Sequence, residues 1–291
     1  MFTATLIAAT LRDGDISAAR DRLAVAGCAP GASAWIDEGV AADIEFACDP
    51  SAARGALGHS AAGIDVIVQP TEGRRKSVLI ADMDSTMITV ECIDELADYA
   101  GIKPRIAAIT ERAMRGELDF EGALDARVAL LAGLDDTVIE QCLAERVRIM
   151  PGATALVRTM RAHGGYAVLV SGGFTRFADP VAAEIGFDRA IANRLVVEDG
   201  RLTGKVARPI VGAEAKLATL LRVIDERGVD PGATLAVGDG ANDLRMIAAA
   251  GLGVAYHAKP IVAAAAGARI DHGDLSVLLY AQGYARRAWA D

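Results

Sequence analysis

Three short apolar runs, each ending at once in a polar or glycine-rich turn, constrain this chain most. Val78–Ala81 runs into Asp82-Met83-Asp84-Ser85-Thr86, Tyr166–Val170 into Ser171-Gly172-Gly173, and Ala233–Val237 into Gly238-Asp239-Gly240. Uninterrupted runs of this length suit strands buried on both faces, as in a parallel sheet covered by helices. Their alternation with helical segments makes a doubly wound, Rossmann-like α/β core the expected class. The carboxyl ends of such strands open onto one edge, where ligands bind. Read alone, Asp82–Thr86 is equally well a polar strand-to-loop turn, so the three ends have to be weighed together.

The segment between the first two runs reads as helices. Val90–Ala100, Pro104–Arg115, Asp119–Ala132 and Asp135–Arg148 carry start and stop signals, with Gly101, Gly116 and Gly133 closing the first three. Some sixty helical residues are too many for a simple crossover, which needs only about a dozen or more. They read as a helical cap, residues 89–149, inserted into a core formed by residues 77–88 and 150–291. Further along, Thr154–His163, Ala178–Ile185 and Glu214–Arg227 read as helices and Leu252–Ala255 as a fourth strand. Ala190–Val197 and Arg201–Val206 flank Asp199-Gly200 and read as one hairpin. Gly200–Lys205 has a passing likeness to a phosphate-binding loop, but lacks its spacing and closing hydroxyl.

Residues 1–70 read as β-α-β-β-α-β, a small α+β ferredoxin-like module. No reacting group stands out in it, and His59 reads as a surface residue. The module is a candidate for regulation or homodimerisation, or a plain structural appendage. Pro70–Lys76 reads as a linker whose Arg74, Arg75 and Lys76 form a solvated basic connector.

A net charge of −9 excludes a nucleic-acid scaffold, which needs a basic stripe. No apolar stretch approaches the ~20 residues of a membrane span. The start of the chain lacks the basic, apolar pattern of a signal peptide. Cys28, Cys48, Cys92 and Cys142 are expected to be reduced, buried thiols, so the expected location is cytoplasmic.

The strand ends supply a coherent chemistry. Asp82 and Asp84 come from the first, Ser171 and the amides of Gly172 and Gly173 from the second, Asp239, Asn242 and Asp243 from the third. Lys216 opens the helix before the third strand. Four carboxylates in one place repel one another and call for a hard divalent cation, Mg²⁺. One such ion and Lys216 against four carboxylates leave about one negative charge, so phosphate also needs Ser171 and the glycine amides. Asp82 is the expected nucleophile and a metal ligand, and Asp84 the general acid and base. Asp84 is expected to give the metal its backbone carbonyl rather than its side chain. Asp239 is a further ligand, with Asp243 orienting the metal or Lys216. A signalling receiver domain uses similar groups, but places its acidic pair before the nucleophile and has no helical lid.

This constellation resembles the haloacid dehalogenase (HAD) superfamily, whose four motifs are matched by Asp82–Thr86, Ser171–Gly173, Lys216 and Gly238–Asp243. Within it, Asp82–Ile88, Glu91–Glu95, Ser171–Thr175, Gly238–Leu244 and Ala255–Pro260 resemble the phosphoserine phosphatase family, over roughly residues 77–285. Residues 1–70 resemble, by pattern alone, the ACT-like module of some bacterial members. The resemblance implies hydrolysis of O-phospho-L-serine through an aspartyl-phosphate, the last step of serine biosynthesis. It places Glu91 as the ammonium partner, Arg127 as the carboxylate clamp, and Met114 and Phe120 as apolar cap residues closing over the site. Ser171, Gly172, Lys216 and Asn242 would bind phosphate. The same chemistry would also serve a phosphotransferase, or a phosphatase for another small ester.

Overall fold

The computed structural model describes residues 1–58, 63–115 and 117–290, with Met114 described by its backbone alone. His59 and the Met114 side chain therefore lie outside the described groups. The first six elements are β1 (Phe2–Ala8), α1 (Asp13–Val25), β2 (Ala29–Asp37), β3 (Ala41–Ala47), α2 (Pro50–Leu57) and β4 (Ile64–Pro70). They build an antiparallel sheet of order β2-β3-β1-β4. Its period-2 pattern is clear in β3, where Ala42, Ile44 and Phe46 join Leu6, Ile16, Leu23 and Leu57 in one core. The alternate residue Asp43 faces the other way.

That second face receives the linker. Arg74 forks onto Asp43 at 2.6 and 3.0 Å, donates to the Thr5 hydroxyl at 3.2 Å, and reaches the carbonyls of Tyr280 and Ala281. Lys76 is buried and donates to the carbonyls of Gly73 and Gly232, both at 2.9 Å. Burial holds its ammonium below the usual lysine range. Arg75 lies over the Tyr284 ring. The basic cluster is thus a clamp between module and core, not the solvated connector expected from composition. Charge alone does not reveal that a sheet face and the carbonyls of Tyr280 and Ala281 wait for it.

The cysteine expectation also needs correction. Cys28 and Cys48 form a disulfide, while Cys92 and Cys142 are free and buried. Cys28 precedes β2 and Cys48 follows β3. The pairing of Ala29 with Ala47 brings the two thiols opposite each other, a register invisible in a separation of 20 residues.

The remaining elements are β5 (Val78–Ala81), α3 (Cys92–Tyr99), α4 (Lys103–Met114), α5 (Phe120–Ala129), α6 (Thr137–Arg146), α7 (Ala153–Ala162), β6 (Tyr166–Phe174), α8 (Thr175–Ile185), β7 (Arg189–Asn193), β8 (Leu195–Glu198), β9 (Arg201–Val206), α9 (Ala213–Arg227), β10 (Thr234–Gly238), α10 (Leu244–Ala249), β11 (Leu252–Tyr256), α11 (Pro260–Ala265), β12 (Ala268–Ile270) and α12 (Val277–Ala281). The second sheet is parallel, of order β12-β11-β10-β5-β6-β7. Leu79, Ala81, Leu169 and Val237 feed the core on one face. Val78, Ile80, Val168 and Ala236 meet Leu220, Val223 and Met246 on the other. Apolar residues on both faces explain the unbroken runs in the sequence. The chain winds from β5 toward β7 and later from β10 toward β12, so the strand order reverses between β5 and β10, where a crevice forms.

Helices α3 to α6 cover that edge. The strands entering and leaving them pair across Ile88 and Ile149, with Thr89 N–H donating to Arg148 at 3.0 Å and Met150 N–H to Met87 at 2.9 Å. The expected hairpin at 190–206 is split. Arg189–Asn193 is the sheet's edge strand, and Leu195–Glu198 alone pairs with Arg201–Val206. Asn193 ends the first piece by turning its carboxamide onto neighbouring loops. Among the described residues no helix is long and apolar enough to cross a membrane.

Removing the linker clamp should loosen the module from the core. Arg74→Ala is expected to lower unfolding free energy by about 1.5–3 kcal/mol, the range for hydrogen bonds to a charged group, read from urea denaturation. An unchanged midpoint would show the clamp to be dispensable.

Candidate active site

Asp82 follows β5 directly, and its N–H donates to the Val237 carbonyl of β10 at 3.0 Å, holding it at the crevice. The chain then turns tightly: the Met83 carbonyl accepts from Met87 and Ile88, and Ser85 takes a left-handed φ of 55°. This turn separates the two acids. Asp82 is buried against the sheet, whereas Asp84 faces the cap and accepts from the Cys92 N–H at the start of α3, at 3.2 Å.

Lys216, on the first turn of α9, has no solvent exposure. Its Nζ donates to Asp82 at 2.5 Å and to Asp243 at 2.6 Å. Burial alone would lower its pKa, but the two carboxylates outweigh that and raise it, so the ammonium stays charged. Asp243 is also fully buried, with its other oxygen accepting from Gly240 N–H at 2.9 Å. It lies against Gly238, where a Cβ would come within 2.4 Å of its Cγ, so only glycine leaves room for it.

Carboxylate oxygens of Asp82, Asp239 and Asp243 lie within 4.8 Å of one another. Their crowding shows in the electrostatics. Asp82 is pushed well up by burial and by Asp243, against the pull of Lys216. Asp239 is raised to about 6 by burial, Asp243 and Glu91. Asp84 is raised to about 7 by burial and by Glu91, despite the Cys92 N–H. An all-oxygen, mutually repelling donor set is what a hard divalent cation stabilises.

Of the residues singled out in the sequence, Asp82, Asp84, Glu91, Phe120, Arg127, Gly172, Asp239 and Asn242 line one cavity of about 580 Å³. Ser171, Lys216 and Asp243 are buried polar groups at the same strand edge. Ser171 Oγ accepts from the Gly173 N–H at 2.8 Å. Glu91 and Arg127 come from the cap: Ser85 Oγ donates to Glu91 at 2.7 Å, and Arg127 Nε donates to the Ala123 carbonyl at 3.2 Å. Three residues at the site were given no role of their own in the sequence, although Ser85 and Thr86 stand in its first motif. Thr86 donates to Asp239 at 3.2 Å, Ser85 steadies Glu91, and Asn193 joins loops from two strands.

The haloacid dehalogenase-like hydrolase family model matches residues 79–248, more than half of the chain and all three strand ends. The chain belongs to the haloacid dehalogenase-like hydrolases. This hydrolase is 45% identical over 229 residues to a phosphoserine phosphatase of Streptomyces coelicolor, covering 78% of its own length and 56% of the relative's. A phosphoserine phosphatase of Streptococcus thermophilus is 48% identical over 200 residues, 69% of this chain and 93% of that one. Across several longer curated relatives the match spans only 52% to 64% of their length. The crystal structure of a probable phosphoserine phosphatase from Vibrio cholerae superposes with a TM-score of 0.78 at 33% identity, over 98% of this chain and 88% of that one.

The raised carboxyls of the hydrolase make its stability depend on pH. In the folded protein Asp84 and Asp239 titrate near 7 and 6. In the unfolded chain both titrate near ~3.9. The folded state therefore holds extra protons between these values, and its stability falls as pH rises from about 4 through 7 and levels off above. The chelator-treated protein should show a declining denaturation midpoint from pH 5 to pH 8, and a divalent cation should restore the loss at pH 8. A flat profile without metal would contradict the crowding of these acids.

Proposed function

We propose that this chain hydrolyses O-phospho-L-serine to L-serine and phosphate. One observation carries the reading: a single cavity has Asp82 and Asp239 at its sheet end, with the Lys216 ammonium buried behind Asp82, and Glu91 with Arg127 at its cap end. A phosphate ester that also carries an ammonium and a carboxylate matches both ends. The names of the Streptomyces and Streptococcus relatives support the same substrate.

Asp82 attacks phosphorus, and the bond from phosphorus to the serine oxygen breaks. Asp84, held protonated near neutrality by burial and Glu91, gives its proton to the departing oxygen. The second step reverses its role: Asp84 takes a proton from water, which attacks the aspartyl-phosphate and frees phosphate and Asp82. Lys216 balances the charge of Asp82 before attack, and that of the phosphoryl group once it is bound to Asp82. The Ser171 hydroxyl, the Gly172 amide, Asn242 and Lys216 bind the non-bridging oxygens. Asp82, Asp239 and the Asp84 backbone carbonyl would hold Mg²⁺, which supplies charge to the transferring group, with Asp243 orienting this set and Lys216. Phe120 and Met114 belong to the cap that closes over the substrate and keeps out water during the first transfer.

Phosphate release from L-phosphoserine, with and without Mg²⁺, tests the activity directly. Asp82→Asn should lower turnover by at least ~10³-fold, as loss of a nucleophile does. Substantial remaining activity would sink the mechanism. Glu91→Gln and Arg127→Ala should penalise phosphoserine at least ~10-fold more than p-nitrophenyl phosphate, because an aryl ester lacks the groups they bind. Equal penalties on both esters would remove phosphoserine as the substrate.

A further inference from the structure

Asn193 is a buried polar side chain at the site that no step above uses. It ends β7 at the carboxyl edge of the sheet and is 1% exposed. Its Nδ2 donates to the Gly172 carbonyl at 2.9 Å and to the Val211 carbonyl at 3.2 Å, while its Oδ1 accepts from the Val211 N–H at 2.7 Å. Both amide hydrogens and the oxygen are thus engaged. The two loops it joins have separate tasks. Gly172 follows Ser171 on the phosphate side, and Val211 leads into Gly212, whose carbonyl accepts from the Lys216 N–H at 3.0 Å.

The cap meets both loops through one ring. A Cβ at Gly172 would come within 3.1 Å of Phe120 Cζ, and a Cβ at Gly212 within 3.0 Å of Phe120 Cδ1. The Phe120 ring therefore rests on two stretches of bare backbone. Among the described residues no hydrogen bond joins the two stretches directly, and Asn193 bridges both.

We propose that Asn193 is a positioning residue for the cap. Its carboxamide fixes the spacing of Gly172 and Gly212, and so fixes how closely Phe120 seats over the substrate. The inference rests on the phosphatase reading above. A ring packed on backbone at contact distance loses dispersion and admits water when its platform parts by a fraction of an ångström. The Gly172 amide and the helix stem that carries Lys216 move with that platform. Asn193 thereby ties cap closure to the phosphate-binding groups without touching substrate.

A double-mutant cycle separates this role from simple knitting of the fold. kcat and KM for L-phosphoserine, and the thermal midpoint, are measured for Asn193→Ala, Phe120→Ala and the pair. Each single change should lower kcat/KM about tenfold, and the pair should lose little more than Phe120→Ala alone, because both act through one contact. Losses that multiply to about a hundredfold would overturn the proposal. Gly212→Ala, whose extended backbone accepts alanine, should reproduce the loss by lifting the ring while leaving the carboxamide intact; wild-type kinetics there would also overturn it. If Asn193→Ala does not fold, Asn193→Ser runs the same cycle with one hydroxyl retained. A wild-type protein inactive on phosphoserine would strike the functional reading instead, and the cycle would then be read on p-nitrophenyl phosphate.

Discussion

The Lys216 ammonium, shut away from solvent between Asp82 and Asp243, is the contact on which the rest of the site depends. A buried ammonium without partners would lose its proton, and two buried carboxylates without a cation would gain one. Together they hold a charged ammonium and its two carboxylates against one another at the floor of the cavity. The pairing also fixes geometry. It ties α9 to the end of β5 and to the loop after β10, so three separate pieces of chain share one charge balance.

The parallel sheet provides the place for that contact. The strand order reverses between β5 and β10, and the Asp82 N–H bonded to Val237 stands at that reversal. The helical insertion returns over the same edge through the short pairing of Ile88 with Ile149. Burial raises both acids, but Asp82 alone of the two is hydrogen-bonded to Lys216, which favours its charge, while Asp84 stands beside Glu91, so two aspartates two residues apart suit different roles. The N-terminal module is fixed to this core by Arg74 and Lys76, and by Asp65, whose carboxylate accepts from the backbone amides of Asp271, His272 and Gly273.

Much of this was legible in the sequence because strand burial leaves an unmistakable mark. Val78–Ala81, Tyr166–Val170 and Ala233–Val237 could hardly be anything but central strands, and the residues after them had to share an edge. The misreadings have a common cause. Arg74, Arg75 and Lys76 look solvated because a charge run carries no record of what faces it. Cys28 and Cys48 look unpaired because cross-strand register is not written in their spacing. Asn193 looks like part of a hairpin arm because its apolar neighbours continue the pattern past it.

Local sequence by itself determined the α/β class, the insertion of helices after β5, and which polar side chains gather at the strand ends, since periodicity and strand-end composition are properties of contiguous residues. Only the tertiary structure decided which aspartate is buried with Lys216 and which faces the cap, where the linker is clamped, and how Phe120 rests on Gly172 and Gly212. Those outcomes come from contacts between residues far apart in the chain. Hydrogen-bond partners and desolvation there follow from the packing of whole elements, not from any neighbouring stretch.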